Sequence, residues 1–207
     1  MMNRYTRIQA LLFGFCFLFL FSPPLSAGAP TDQIRATVDK ALTVLQDPRL
    51  KSEAKTQERR EKLRQILYAQ FDFSEMAKRS LGSHWRKRTP KEQEEFVELF
   101  TSLLEKAYTD RIESYHDETF RYPRETLDGS YADVESRIVT QKGEQFTILY
   151  KTSLVNGQWK VYDVVIQNIS LVNNYRSQFN RVITHDSYEE LVRRMKEKQI
   201  ESADRKR

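Results

Sequence analysis

The sequence predicts an α+β fold in which helices precede and follow an antiparallel meander. Three observations carry this. Apolar residues recur at helical spacing between Thr31 and Tyr115, a period of two replaces that spacing between Val134 and Leu171, and helical spacing returns after Ser170. No internal repeat or low-complexity linker divides the chain.

The first element is an address. Met1 to Ala27 holds no acid, carries Arg4 and Arg7, and contains five of the twelve phenylalanines and the single cysteine, Cys16. Its apolar run, Ala10 to Phe21, falls short of the ~20 residues that cross a bilayer, and small residues follow at Ser26 to Ala29. This is the order of a secretory signal, with cleavage expected near Ala27. Phe15 precedes Cys16 where a lipoprotein would need a small residue. Removal of the signal leaves 180 of the 207 residues and lowers the formal charge from +5 to +3. The mature chain has no cysteine, which excludes disulfides, thiolate catalysis and Cys-based metal centres. One folded unit over residues 28–200 is expected, with a charged tail at 201–207.

From Thr31, read as an N-cap, Ile34, Val38, Leu42 and Leu45 mark an amphipathic helix that Asp47-Pro48 stops. Ser52 to Leu67 reads as a solvated helix of mixed charge, with Glu58 and Lys62 as an i,i+4 pair. Interleaved acids and the lack of an aromatic platform argue against nucleic acid as a partner. Asp72-Phe73-Ser74-Glu75 reads as a capping box for a short helix ending at Gly82. Thr89-Pro90-Lys91-Glu92 is the clearest start signal in the chain, and opens a long helix with Phe96, Phe100, Leu103, Leu104, Ala107, Tyr108, Ile112 and Tyr115 on one stripe. A strand lies within Glu118 to Asp133, its limits obscured by Pro123. Three more follow: Val134–Thr140, Phe146–Leu154 and Trp159–Leu171, the last two joined by an Asn156-Gly157 hairpin. On period two, Phe146, Ile148, Tyr150 and Leu154 share a face, as do Trp159, Val161, Val165 and Ile169. Tyr162, Val164 and Ile166 occupy the opposite face of the last strand, so that strand is covered on both sides or curls. Ser170 caps a helix with Leu171, Val172, Tyr175, Phe179 and Val182, and Asp186-Ser187-Tyr188-Glu189 opens a last one.

The residues offer little to catalysis. There is no HExxH, GxSxG or phosphate loop, and six glycines leave little backbone to cradle phosphates. His84, His116 and His185 lack metal-ligand spacing, His116-Asp117-Glu118 reads as a solvated turn, and the adjacent His185-Asp186-Ser187 cannot converge as a triad. Asp163, between Tyr162 and Val164, is a strand-edge carboxylate or a general base in a pocket. The remaining feature is a set of large aromatics on inner faces. They form an ordinary core or line an apolar cavity, and composition does not choose.

Two segments carry a resemblance. Phe71-Asp72-Phe73-x-x-Met76-Ala77-x-x-x-Leu81-Gly82-x-x-Trp85 followed by Gln93-x-x-Phe96-x-x-x-Phe100-x-x-Leu103-Leu104-x-x-x-Tyr108 is the first. Gly157-x-Trp159-x-Val161-Tyr162-Asp163-Val164-x-Ile166 with Ile169-Ser170-Leu171-Val172 and Tyr175-Arg176-x-Gln178-Phe179 is the second. From Thr31 to Lys196 the chain resembles the periplasmic phospholipid-binding, MlaC-like or toluene-tolerance family, departing from it at Gln167-Asn168, where an acid and a glycine are common. The resemblance implies a curved antiparallel sheet of the NTF2-like cone type, packed with several helices around an apolar pocket. It implies a non-enzymatic, monomeric periplasmic carrier without a cofactor, whose ligand is a glycerophospholipid. Its implied partners are an inner-membrane ABC transporter with an MCE-domain subunit and an outer-membrane lipoprotein–porin complex, in the service of outer-membrane lipid asymmetry. Inner-face positions select the expected lining: Met76, Leu81, Trp85, Phe96, Phe100, Leu103, Leu104 and Tyr108 from helices, and Tyr150, Val161, Val165, Ile169, Val172 and Tyr175 from the sheet and the helix after it. Tyr162 is expected to anchor the sheet. An enzyme using Asp163 and a pocketless periplasmic adaptor are the alternatives.

Overall fold

Short polar side chains decide where most of the helices begin. In the computed structural model, which describes residues 30–115, 118–140 and 142–197, Pro30 opens α1 (Pro30–Gln46). Two 3-10 turns, Pro48–Leu50 and Glu53–Lys55, lead to α2 (Thr56–Gln70). Asp72 caps α3 (Phe73–Leu81) by accepting the Glu75 N–H at 2.8 Å. A 3-10 stretch, Gly82–Lys87, precedes α4 (Pro90–Glu113), where Thr89 and Glu92 form the full reciprocal capping box. Such caps are worth ~1 kcal/mol each, which fixes the first turn of a helix. The expected secretory signal with Cys16, the His116-Asp117 pair and the expected charged tail at 201–207 lie outside the described residues.

Three expected caps differ. Thr31 lies inside α1, and its backbone N–H and hydroxyl both donate to the carboxylate of Glu125 on the sheet. Glu75 pairs with Lys78 and Arg79 (3.0 and 2.8 Å). Ser187, not Asp186, is the N-cap of the last helix. Gly82 ends α3 at φ +60°, a conformation that strains any residue with a Cβ.

The strands are β1 (Thr119–Asp128), β2 (Tyr131–Val139), β3 (Gln145–Val155), β4 (Gln158–Ile166) and β5 (Ile169–Ser170). They pair in chain order as an antiparallel meander, a curved, unclosed sheet. Two irregularities set its faces. Opposite Lys151 and Thr152, β4 carries an extra residue, Tyr162, so that Lys151 faces Asp163 while Thr152 faces Val161. A bulge of one residue exchanges the two faces beyond it. Val164 and Ile166 therefore turn inward opposite Tyr150 and Ile148, while Val165 turns outward. Second, the expected long strand Trp159–Leu171 is broken at Gln167 and Asn168, both at positive φ (46° and 67°). Ile166 and Ile169 pair across this two-residue turn, and the chain doubles back into β5. The reversal is made with two non-glycine residues. Leu154 and Ile169, expected on inner faces, are 38% and 37% exposed.

Ser170 caps α5 (Leu171–His185), which is followed by α6 (Tyr188–Lys196). The helices α3 to α6 share one core, in which Phe96, Phe100, Tyr175 and Phe179 are fully enclosed. Phe100 meets Tyr175 edge-on at 5.6 Å, and Phe96 meets Phe179 at the same distance. A second core lies between α1 and the inner face of the sheet: Ile34, Val134, Ile138, Ile148, Tyr150, Val161 and Val164, with Leu171. Phe71 and Tyr108 pack against both cores.

Candidate functional site

The two cores part along the second half of α4. Its apolar stripe is fully enclosed at Phe96 and Phe100, but Ala107, Tyr108, Ile112 and Tyr115 are only half-buried. Across from them the inner face of the sheet offers Phe120, Tyr122, Phe146 and Ile166, also half-buried, above a floor of Ile138, Ile148, Tyr150 and Val164. The Tyr115 ring lies 6.2 Å from Phe120 and 6.3 Å from Phe146. These half-buried side chains form a candidate cleft between the layers, with mostly aromatic walls over a floor that includes Tyr150.

The Tyr122 hydroxyl in this region is buried and makes no hydrogen bond, while the Tyr108 hydroxyl faces that of Tyr175 at the edge of the helical core. Most buried polar groups are paired, so unpaired ones mark a place where a bound group is accommodated. Burial raises the pKa of Tyr108, Tyr115, Tyr122 and Tyr175, and pushes Tyr150 up to about 12. All five stay protonated and neutral at physiological pH. They are hydrogen-bond donors set in an apolar wall, suited to ester or phosphate oxygens.

The cleft is closed on one side by α2, which reaches α4 through charge. Arg59 donates to Glu113 at 2.8 Å, Arg60 to Asp110 and Glu113 at 2.7 Å each, and Arg64 to Glu105 at 2.8 Å. On the β1 side, the Arg35 guanidinium lies 5.2 Å from the Tyr122 ring centre. Among the described residues no cluster of three or more His, Cys, Asp or Glu could hold a metal ion. Asp163 is 5% exposed and its carboxylate is engaged, accepting the Ser170 hydroxyl at 2.6 Å and the Val172 N–H at 3.1 Å. It joins β4 to the first turn of α5 and does not line the cleft. Tyr162, at the bulge, lies under the Arg79 guanidinium (4.1 Å) and edge-on to Tyr131, which ties α3 to the sheet.

Comparison with known proteins decides what such an arrangement is related to. Residues 35–197 match the family model of the MlaC protein. The chain belongs to the MlaC family. Over 176 residues it is 24% identical to the toluene tolerance protein ttg2D of Pseudomonas putida, covering 83% of this chain and 82% of that protein. It is 21% identical over 122 residues to the intermembrane phospholipid transport system binding protein MlaC of Haemophilus influenzae, covering 56% and 57%. Among solved structures, the phospholipid-binding protein of Ralstonia solanacearum in complex with a phospholipid superposes with a TM-score of 0.74 at 25% identity, over 82% of this chain and 96% of that one.

In this MlaC-family chain the expected lining residues divide into groups. Met76, Leu81, Phe96, Phe100, Leu103, Leu104, Val172 and Tyr175 belong to the helical core, with Trp85 packed at its margin. Tyr150 and Val161 belong to the core beneath the sheet, and Tyr108 touches both. Val165 lies away from the cleft, because the Tyr162 bulge reverses the face on which period two placed it, whereas Ile169 pairs with Ile166 across the turn, shares its face and is 37% exposed. Sequence reasoning passed over Phe71, Tyr115, Phe120, Tyr122, Phe146 and Ile166 as lining. Tyr115 and Phe146 were visible on their stripes. Phe120 and Tyr122 alternate inward on β1, but the β1 irregularity between Arg121 and Arg124 breaks the period there.

Two open hollows lie on the outer side of the sheet. One of about 430 Å³ is lined by Arg121, Pro123, Arg137, Val139 and Gln145. The other, about 570 Å³, adjoins it at Gln145 and extends to Gln167 and Asn168.

Proposed function

We propose that the chain is a periplasmic glycerophospholipid carrier that holds the acyl chains in the cleft between α4 and the inner face of the sheet. The observation that supports this most is the coincidence of a half-buried aromatic cleft here with a phospholipid complex in a solved relative of the same fold. The energetics require enclosure. Each exposed methylene costs ~0.8 kcal/mol, so a lipid with about 30 of them costs on the order of 20 kcal/mol to hold bare in water. Tyr108, Tyr115, Phe120, Tyr122, Phe146 and Ile166 supply the walls, Ile138, Ile148, Tyr150 and Val164 the floor, and the Tyr108 and Tyr122 hydroxyls meet the glycerol esters. Accommodating two chains requires the helical and sheet layers to separate, and Phe71 and Tyr108 are the rings across which they do so.

The carrier works between an inner-membrane ABC transporter with its MCE-domain subunit and an outer-membrane lipoprotein–porin complex, and so maintains outer-membrane lipid asymmetry. The test is chemical. Protein exported with its own leader is purified without detergent, extracted with organic solvent and analysed by mass spectrometry. Near-stoichiometric phospholipid is expected. A fully folded protein free of lipid would falsify the carrier reading.

A further inference from the structure

On the outer face of the sheet several charges stand opposite charges of the other sign. Arg124 stands opposite Glu135, Asp133 opposite Lys151, and Lys151 opposite Asp163. Arg121, however, stands directly opposite Arg137. Like charges in directly opposed positions destabilise a strand pair. Arg137 has a loose ion pair with Glu135 at 3.7 Å, and Arg121 makes none among the described residues. Both guanidinium groups line the 430 Å³ hollow. Protection of a free sheet edge accounts for a cation on β1, which is an edge strand, but not for one on β2, which is paired on both sides.

We infer that the Arg121–Arg137 pair is a docking site for the phosphate groups of an anionic bilayer, and that the protein meets the membrane with its β1 edge. The inference rests on the carrier reading and adds the surface on which that carrier meets lipid. The geometry is consistent with the cleft. Arg121 lies between Phe120 and Tyr122, whose side chains point to the opposite face of β1 and line the cleft, and Arg35 covers Tyr122 from the inner side. A bilayer against this edge therefore has cations on both sides of the strand and the aromatic mouth of the cleft between them. Phosphate oxygens accept from two guanidinium groups at once and relieve their mutual repulsion, whereas the headgroup of lipid already in the cleft lies on the other face of the strand.

The test is co-sedimentation of the full chain with phosphatidylcholine vesicles, with and without phosphatidylglycerol, for wild type, R121Q/R137Q and the control pair K87Q/K91Q. The control removes the same charge from exposed positions at the far end of α4. Wild type is expected to bind only the anionic vesicles and to release them as salt rises. R121Q/R137Q is expected to bind about 30-fold more weakly, the equivalent of ~1 kcal/mol per cation near an anionic surface. The control is expected to stay within about twofold of wild type, and the melting temperature of R121Q/R137Q not to fall, since a repulsion has been removed. Equal loss in both double variants, binding to neutral vesicles, or no vesicle binding by wild type overturns the proposal. So does displacement of the vesicles by millimolar glycerol 3-phosphate, which indicates a soluble phosphate ligand instead. Lipid extraction separates the two readings: R121Q/R137Q is expected to keep its full complement of bound phospholipid, while absence of lipid from wild type counts against the carrier itself.

Discussion

At the level of single residues, the turn at Gln167-Asn168 is a place where the chain accepts strain. Two-residue hairpins with positive φ at both central positions favour Asn-Gly, because a Cβ in the left-handed region costs energy that glycine avoids. Asn168, at φ 67°, tolerates the region better than most residues but less well than glycine. Asn168→Gly is therefore expected to stabilise the protein by ~0.5–1 kcal/mol, read as a higher urea midpoint with an unchanged slope. The opposite result would show that the Asn168 side chain contributes more than its backbone strain. The sequence contained this turn only as a deviation from a family pattern. Nothing in the local apolar alternation from Trp159 to Leu171 announces a reversal, because Ile166 and Ile169 read as one continuous strand.

Whole elements are held in two different ways. Most helices are held by buried rings, but α2 is fixed to α4 through Arg59, Arg60 and Arg64. The Arg59–Glu113 pair is well shielded, with side chains 15% and 11% exposed. Burial pushes the Glu113 carboxyl up, and the hydrogen bonds from Arg60 and Arg59 outweigh it and hold it below the ordinary carboxylate range. A carboxylate whose folded pKa is depressed contributes stability above its unfolded pKa, and that contribution is lost as pH falls through the folded value. Glu113→Gln is accordingly expected to cost ~2 kcal/mol at pH 7, with the difference from wild type closing as pH drops below about 4. Urea unfolding at a series of pH values measures this, and a constant difference down to pH 2 would assign the cost to packing. The existence and order of the α-helices and of the first four strands were legible in the sequence because caps and periods are local. The facing of β4 was not, since a one-residue bulge at Tyr162 has no signature in apolar alternation and yet reverses every side chain after it. That single insertion explains why Val165 read as a lining residue and Ile166 did not.

At the scale of the molecule, the question is which aromatic side chains stabilise the fold and which serve the ligand. The long stripe of α4 crosses from one role to the other between Phe100 and Tyr108, a change of surroundings that periodicity cannot register. Phe100 is enclosed by Phe96, Tyr175 and Phe179, so Phe100→Ala is expected to cost ~3–5 kcal/mol. Tyr115→Ala, at the half-buried mouth, is expected to cost no more than ~1.5 kcal/mol while lowering the phospholipid recovered per protein several-fold. Urea unfolding of delipidated protein and lipid analysis of purified protein separate the two effects. Equal stability losses would place Tyr115 in the core.

Phe71 and Tyr108, the rings that pack against both cores, have a further consequence for the lifetime of the protein. Along the cleft the layers meet through these two half-buried rings, and a ligand bound there adds stability in proportion to RT ln(1 + [L]/Kd). Loaded carriers are then the more cooperative and the slower to open, while empty ones expose chain to proteases. Limited digestion is expected to cut delipidated protein at least several-fold faster than loaded protein, with early cleavage between the two layers. By this route turnover itself would select for carriers that hold cargo, making the lipid a term in the survival of the protein as well as its freight.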